Sequence, residues 1–596
     1  MKRILCVFLV LAVFFSFVAC TKNQSDDTAK TTTTTTVEEN PFEEFFEITW
    51  LTQNNTDFRE NRWDELELEK MFNVDIQVWT QNGVVAAEMA PLFAAGDIPD
   101  FYFAPAAPRP PEGQYEEGLT RSIHIDLIKK WLPGYYEMLE AIPVGFLYNL
   151  VPGKTDEYLG ITHCNIGSCQ YFYDASCINL DWLEAVGYAF DESKLTPVKM
   201  TTEGYEKFND NIFFAEGDYT FEELNDILRK FTEEDPDGNG VDDTYGMVYL
   251  NENQWTNMTQ TGLFGFVQRA EYLYKDPSSG DTVPLYAFTP YRDYLQWISG
   301  NLEKGYMKRL PGEQSWIVEY SAATQNNKVG IIQANGGRYL ALNSAENRTY
   351  PPQNILINTD EEARFVMGPL FRGPDGTLVD MTYDIDPYGT GNYRIQMIGA
   401  QVDDAKLERI FNILQYTTFH SDEIWTRYKS GIEGIHFKWS GEPYISAMIV
   451  TPTSELAEEY RGQLNVFGLW CYPSTIQRQI DNAEKNGYWA YMPFMHANGL
   501  FEKYAINPEK FASAAYMGYE LFAKYTEINT EVKPQIDTVV KDFKTRALAG
   551  EIANYNTEWI QYIDQLYAAG LKKLIDEIYH NPEFVKYDPG EKFNLR

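Results

Sequence analysis

The sequence predicts an α/β fold, and three observations carry that expectation. A strand-like run, Phe46 to Leu51, precedes a helical stretch and then Val74-Asp75-Ile76-Gln77-Val78, where apolar and polar residues alternate. Strand, helix, strand is the unit of a mostly parallel sheet. Within Arg62 to Phe72, Trp63, Leu66 and Met71 are spaced for one helical face. The chain of 596 residues, 44% of them apolar, is long enough for two or more domains with sizeable cores.

Further elements follow in order. Met89 to Ala95 reads as helix and runs through the turn Gly96-Asp97-Ile98-Pro99-Asp100 into a short strand, Phe101-Tyr102-Phe103. Thr220-Phe221-Glu222-Glu223 has the pattern of a capping box, a hydroxyl at the cap and a glutamate three residues on. Phe221, Leu224, Ile227, Leu228 and Phe231 then mark one face of a helix. Met247 to Leu250 is a strand, Val402 to Thr418 a helix, and Asn507-Pro508-Glu509 reads as a cap with proline opening a helix. Trp559 to Gly570 is a closing helix with glycine as its stop.

Charge narrows the partners. The formal net charge is −38, a field that repels phosphate backbones and anionic glycans, so no nucleic-acid partner is expected. Neutral or cationic ligands fit better. Aromatic residues make up 15%, led by tyrosine, and offer the apolar face and polar edge that stack on sugar rings. There is no His-Glu-x-x-His, no Gly-x-x-x-x-Gly-Lys and no Gly-x-Ser-x-Gly, and spacing alone selects no glycosidase carboxylate pair, so no catalytic residue is assigned.

The order of these landmarks resembles that of extracellular solute-binding proteins of family 1, the sugar-type capture subunits of ABC importers. The resemblance is carried by the Ala95-Gly96-Asp97-Ile98-Pro99-Asp100 turn between helix and strand. It continues at Asp181-Trp182-Leu183-Glu184-Ala185-Val186-Gly187, at Gly368-Pro369-Leu370, and at Gly431-Ile432-Glu433-Gly434-Ile435-His436. It implies a two-lobed periplasmic-binding-protein-like fold with discontinuous lobes, a hinge of about three crossings and C-terminal helices. The first lobe would comprise 45–172 and 367–430, and the second 173–366 and 431–596, the last segment including the C-terminal helices. Residues 190–218 form a longer insertion than the family pattern has. The implied function is capture of a carbohydrate, a neutral oligosaccharide, in an interlobe cleft, by a monomer that presents it to ABC permease transmembrane subunits. The competing expectation is a surface glycan-binding or glycan-hydrolysing lipoprotein not coupled to a transporter.

The first twenty residues have the layout of a secretory signal peptide: Lys2 and Arg3, then an apolar run from Ile4 to Val18 too short to span a bilayer comfortably. Phe17-Val18-Ala19-Cys20 resembles a bacterial lipobox, with Phe17 in place of the usual leucine, and makes Cys20 the expected lipidation site. Loss of Lys2 and Arg3 with the leader takes the charge from −38 to −40. Residues 21–44, with six consecutive threonines from Thr31 to Thr36, read as a flexible tether. The expected location is therefore extracytoplasmic and lipid-anchored, on the outer face of the cytoplasmic membrane or, in a diderm cell, in the periplasm or outer membrane. Of the remaining cysteines, Cys164, Cys169, Cys177 and Cys471 admit three pairings. The closeness of Cys164 and Cys169 favours a small looped bridge between them, against free buried thiols.

The sharpest motif is Asp235-Pro236-Asp237-Gly238-Asn239-Gly240-Val241-Asp242-Asp243. Oxygen donors fall at positions one, three, five and nine of a Ca²⁺ loop, with Gly240 at six and the Val241 carbonyl at seven. Position twelve is Gly246 where an EF-hand has a bidentate glutamate, so the expected ligands are Asp235, Asp237, Asn239, Val241 and Asp243, holding a structural Ca²⁺. Ligand residues are sought just past predicted strands, because open α/β sheets bind ligands at the carboxyl ends of their strands. That logic selects Thr52, Gln53, Asn54, Asp97, Asp100, Tyr102, Trp255, Arg338, Tyr339, Asp384, Asp386, Tyr388, Glu433 and His436. Carboxylates and amides would bind hydroxyls, and Trp255 or Tyr339 would supply a stacking face.

Overall fold

The computed structural model describes residues 42–52, 57–165, 170–171, 174–198, 206–250, 257–312, 316–335, 352–378, 383–384, 388, 394–439, 441, 443–444, 448–472, 498–504 and 506–587. The chain divides into residues 1–43 and 44–596, and the fold described is that of the second unit. Cys20, Gln53, Asn54, Cys169, Trp255, Arg338, Tyr339 and Asp386 lie outside the described residues. Among those described, no helix is long and apolar enough to cross a membrane.

The chain begins with β1 (Phe46–Leu51), α1 (Trp63–Phe72), β2 (Val74–Val78), α2 (Ala86–Ala95), β3 (Phe101–Tyr102) and β4 (Ile161–Thr162). Two short strands follow, β5 (Cys164–Asn165) and β6 (Gln170–Tyr171). Next come β7 (Asp174–Asn179), β8 (Thr196–Pro197), β9 (Ile212–Phe214), α3 (Phe221–Glu233), α4 (Thr289–Lys304), β10 (Ile331–Asn335) and β11 (Phe365–Gly368). After β12 (Tyr383–Asp384) come β13 (Ile395–Ile398), α5 (Asp404–Phe419), β14 (Cys471–Tyr472), α6 (Tyr519–Leu548) and α7 (Tyr555–Ala568).

Two five-stranded sheets form the centres of two lobes. The first has the order β2-β1-β3-β13-β4, with β1 parallel to β2 and β3, and β13 antiparallel to both β3 and β4. The second has the order β8-β9-β11-β7-β10, with β9 and β11 parallel and β7 antiparallel to β11 and β10. The expected α/β class and two sheets are both present. Among the described residues the chain passes from one lobe to the other three times: between β4 and β7, between β11 and β13, and between β14 and Leu500–Tyr504, which joins the second core. The passes lie side by side, because β5 pairs in parallel with β14, and β6 pairs antiparallel with β12.

Local chemistry explains the helices. At α3 the capping box forms as the sequence predicts: Glu223 N donates to Thr220 Oγ1 at 3.1 Å, and Thr220 N donates to Glu223 Oε2 at 2.8 Å. Leu224, Ile227, Leu228 and Phe231 are buried, each worth roughly 1.5–3 kcal/mol. The face of α1 differs from the expected one. Leu66 is exposed, while Asp64, Glu65, Leu68 and Phe72 are buried, because Arg62 draws its two acidic neighbours inward. Asn507-Pro508-Glu509 opens no helix. Glu509 N donates to Leu273 O at 2.8 Å, and Lys510–Phe511 continues as an edge strand against Tyr272–Leu273.

Two expected lobe boundaries shift. Residues 367–378 stay with the second sheet, since β11 belongs to it, Gly217 N donates to Pro369 O and Arg372 N donates to Tyr219 O. Residues 431–472 attach to the first lobe, where Trp50 Nε1 donates to Val466 O at 2.9 Å and Thr417 Oγ1 to Phe467 O at 2.8 Å. Neither segment carries a periodic pattern that reveals its partner, because side-chain and loop hydrogen bonds fix both. The C-terminal helices α6 and α7 pack on α4 of the second lobe, and Tyr562 donates to Tyr286 O at 2.8 Å.

Candidate functional site

The parallel strands β1, β3 and β4 all end on one side of the first sheet, and the residues just beyond them are Thr52, Phe103 and His163. The hinge strand β14 arrives at the same place with Trp470 before it. His163 and Trp470 stack with ring centroids 5.4 Å apart and planes only 8° from parallel. Phe103 lies 4.5 Å from His163 and 5.6 Å from Trp470. His163 is 7% exposed, and burial, helped by the Arg394 charge, holds its pKa well below the usual 6.5. The imidazole is therefore neutral at physiological pH, with one donor and one acceptor nitrogen. Neither His163 Nε2 nor Trp470 Nε1 has a hydrogen-bond partner among the described residues. A buried polar atom left so costs roughly 1–3 kcal/mol, which a hydroxylated ligand or a water would recover. The arrangement is an aromatic floor with two polar edges unpartnered among the described residues, suited to a neutral, polyhydroxylated ring.

The second lobe presents a groove at the corresponding end. Beyond β9 and β11 lies a cavity of about 770 Å³ lined by Glu216, Asp218, Arg372, Lys503 and Tyr504. It shares Thr377, Leu378, Lys503 and Tyr504 with an adjoining cavity of about 500 Å³. Four of the charges here pair, Arg372 Nε donating to Asp218 Oδ1 at 2.7 Å and Lys503 Nζ to Glu216 Oε1 at 2.6 Å, and Lys194 lines the same cavity.

The residues selected from sequence fall differently. Thr52 is buried at the end of β1, beside the floor. Asp97 is exposed at the end of α2, where Gly96 takes the left-handed cap. Asp100 is buried and committed: its carboxylate accepts from Thr49 N at 2.9 Å and Gln401 Nε2 at 3.0 Å, and pairs with Lys406 at 3.3 Å. It ties β1 to the segment after β13. Tyr102 is 1% exposed and donates to Gln114, so its ring belongs to the first-lobe core. The Tyr388 ring is likewise buried, 5.8 Å from the Tyr148 ring. His436 is a staple: Nδ1 accepts from Ile432 N at 2.9 Å, and Nε2 bonds Tyr460 O at 3.0 Å. Burial lowers its pKa. Glu433 is exposed on the neighbouring turn. For Asp384 only the backbone in β12 is described. Phe103, His163 and Trp470 were missed. The rule of strand ends points to Phe103, but two-residue strands leave no alternation to flag the other two.

In the acidic loop, Asp235 accepts from Asn239 N at 3.1 Å and Gly240 N at 2.8 Å, which closes the turn that Gly238 and Gly240 permit with positive φ. Asp237, Asn239 and Asp243 converge: Asn239 Nδ2 donates to Asp237 Oδ2 at 2.9 Å and to Asp243 Oδ1 at 3.2 Å. Lys328 Nζ lies 2.7 Å from Asp237 Oδ2 and 2.9 Å from Asp243 Oδ1, while Asp237 Oδ1 is buried without a partner among the described residues. These oxygens fit a hard cation. Among the described residues no three His, Cys, Asp or Glu side chains form a metal cluster by themselves, so the Asn239 and Val241 oxygens would have to share in any shell.

No family model matches the sequence. No curated protein matches it either. Solved structures do. An HMO-binding ABC-transporter-associated solute-binding protein from Bifidobacterium longum infantis has a TM-score of 0.58 at 13% identity, over 92% of this chain and 98% of that one. The Streptococcus pneumoniae ABC-transporter substrate-binding protein FusA in complex with kestose has a TM-score of 0.56 at 16% identity, over 89% and 97%. An EF-hand mutant of FusA, in complex with fructo-nystose, gives the same values. At such low identity the likeness is one of fold: the chain has the two-lobed architecture of the extracellular solute-binding proteins.

Proposed function

We propose that this protein is the capture subunit of an ABC importer: a monomeric, extracytoplasmic receptor, lipid-anchored through Cys20, that holds a neutral oligosaccharide between its lobes without altering it. The observation that carries this reading is the stacked His163–Trp470 floor, its two polar edges unpartnered among the described residues, set where four short hinge strands join two α/β lobes. Ligand touching both lobes only in the shut state would shift a pre-existing open–closed equilibrium. The folds aligned above belong to proteins described as binding HMO and kestose, which supports a glycan of several units. The mutual pairing of Arg372 with Asp218 and of Lys503 with Glu216 favours an uncharged one.

A panel of neutral oligosaccharides tested by thermal shift should give a hit, with about 2.7 kcal/mol of stabilisation at a hundred times Kd. Trp470→Ala should weaken that hit by roughly 10- to 100-fold, through loss of about 1.5–3 kcal/mol of stacking and burial. Release of reducing ends from the panel, without any thermal shift, would refute the reading.

The acidic loop would hold a structural Ca²⁺ through Asp235, Asp237, Asn239, Val241 and Asp243, with Lys328 swinging out of its place between Asp237 and Asp243. A chelator should then lower the melting temperature, and Asp237→Ala should abolish that response. A melting curve indifferent to chelator would leave the loop closed by Lys328 alone.

A further inference from the structure

Beneath the aromatic floor the same two strands carry two cysteines. His163 and Trp470 are neighbours across the β5–β14 pair, and the next residue on each strand is Cys164 or Cys471, partners in parallel register. Side chains alternate along extended chain, so the thiols lie together on the opposite side from the rings. Cys164 is fully buried and Cys471 is 1% exposed. Both are free thiols in this structure, and Cys471 Sγ donates to Thr162 O at 3.8 Å, two residues before Cys164. Registered neighbours on paired strands are separated by about 4.8 Å, inside the roughly 4.4–6.8 Å that a disulfide spans between Cα atoms. Cys177 is excluded: it sits on β7 in the second-lobe core with Phe214, Ile332 and Phe365.

We propose that Cys164 and Cys471 are joined by a disulfide in the exported protein, fastening the first hinge pass to the third directly behind the ligand floor. The oxidant is a dithiol–disulfide donor of the oxidising compartment. One cysteine thiolate attacks the donor disulfide to give a mixed disulfide and release a donor thiol. The second thiolate then attacks the mixed disulfide and expels the other donor thiol, so two protein thiols are oxidised as one donor disulfide is reduced. Burial pushes the folded Cys471 thiol up to about 12, so the exchange belongs to folding, before the strands close over it. The link closes a loop of some three hundred residues, whose constraint acts on the unfolded chain. It holds β5 on β14, and so His163 on Trp470, while leaving the lobes free to rotate about the passes. This inference rests on the export reading of the leader and not on the identity of the ligand.

Full-length protein exported by its own leader should be denatured in an alkylating agent, with and without prior reduction, and digested. The expected result is a Cys164–Cys471 linked peptide that disappears on reduction. Both cysteines alkylated without reductant, or Cys164 linked instead to Cys169 or Cys177, would overturn the assignment. Dithiothreitol should also lower the melting temperature of the wild type and leave that of the Cys164→Ala/Cys471→Ala protein unmoved. An intact link whose reduction left the wild-type melting curve unchanged would overturn the fastening role. Ligand binding by thermal shift, measured on oxidised protein, is read separately, so failure of the capture reading leaves this result standing.

Discussion

Arg62→Ala will destabilise the first lobe by about 3–5 kcal/mol, the cost of stranding one member of a buried ion pair. The Arg62 and Asp64 side chains are 1% and 0% exposed, and two guanidinium nitrogens reach the two Asp64 oxygens at 2.6 Å each. A third guanidinium nitrogen donates to Gln463 O, so the same group ties α1 to the 431–472 segment that returns to this lobe. The guanidinium also lies over Phe58, 5.2 Å from the ring centroid. Removing Arg62 leaves the Asp64 carboxylate buried without its cation, which is worse than deleting the pair. A double variant, Arg62→Met with Asp64→Leu, should recover much of the loss in a urea melt. If Arg62→Ala costs under ~1 kcal/mol, the pair is solvated in solution and the account of α1 is wrong.

Beside this pair, burial and then the Glu69 charge raise the Glu65 carboxyl from 4.5 to about 7. The folded protein therefore binds a proton more tightly than the unfolded chain does. Stability from this group is complete below about pH 4.5 and is lost as pH rises toward about 7. Glu65→Gln should flatten that part of a stability–pH curve.

Much of the architecture was legible because it is built from repeating chemistry. Thr220 and Glu223 announce the start of α3, and the spacing of Leu224, Ile227, Leu228 and Phe231 gives its buried face. Alternation in Val74–Val78 gives the edge strand of the first sheet. Lobe membership of 367–378 and 431–472 was illegible, since Arg372 N to Tyr219 O and Trp50 to Val466 O are contacts between residues more than a hundred apart in sequence. Two of the residues selected near strand ends and turns have partners within the fold. Asp100 satisfies a backbone amide of β1 and His436 one at a turn, tasks polar side chains perform throughout a fold. His163 and Trp470 become a pair only when two hinge strands three hundred residues apart align, so no local pattern could have joined them.

The hinge-proximal end of the second sheet should be equally intolerant of a single methyl group at Gly368. This residue closes β11 with φ at +153°, a region that side chains other than glycine's rarely enter, at a cost of about 1–3 kcal/mol. A Cβ there would stand 1.9 Å from Ala215 O, a backbone atom held in place because Ala215 N donates to Met367 O at 3.0 Å. The neighbour cannot swing aside as a side chain would, so β9 and β11 would have to part, costing a further ~1–3 kcal/mol. Glu216 and Asp218 follow closely on β9 and line the groove, so strain at Gly368 is transmitted to the groove. Gly368→Ala should therefore lower both the melting temperature and the affinity for any saccharide hit. Gly187→Ala, at a positive-φ turn with open space around it, should cost stability and leave affinity unchanged. Equal effects of the two substitutions on affinity would mean that the β9–β11 end does not shape the groove.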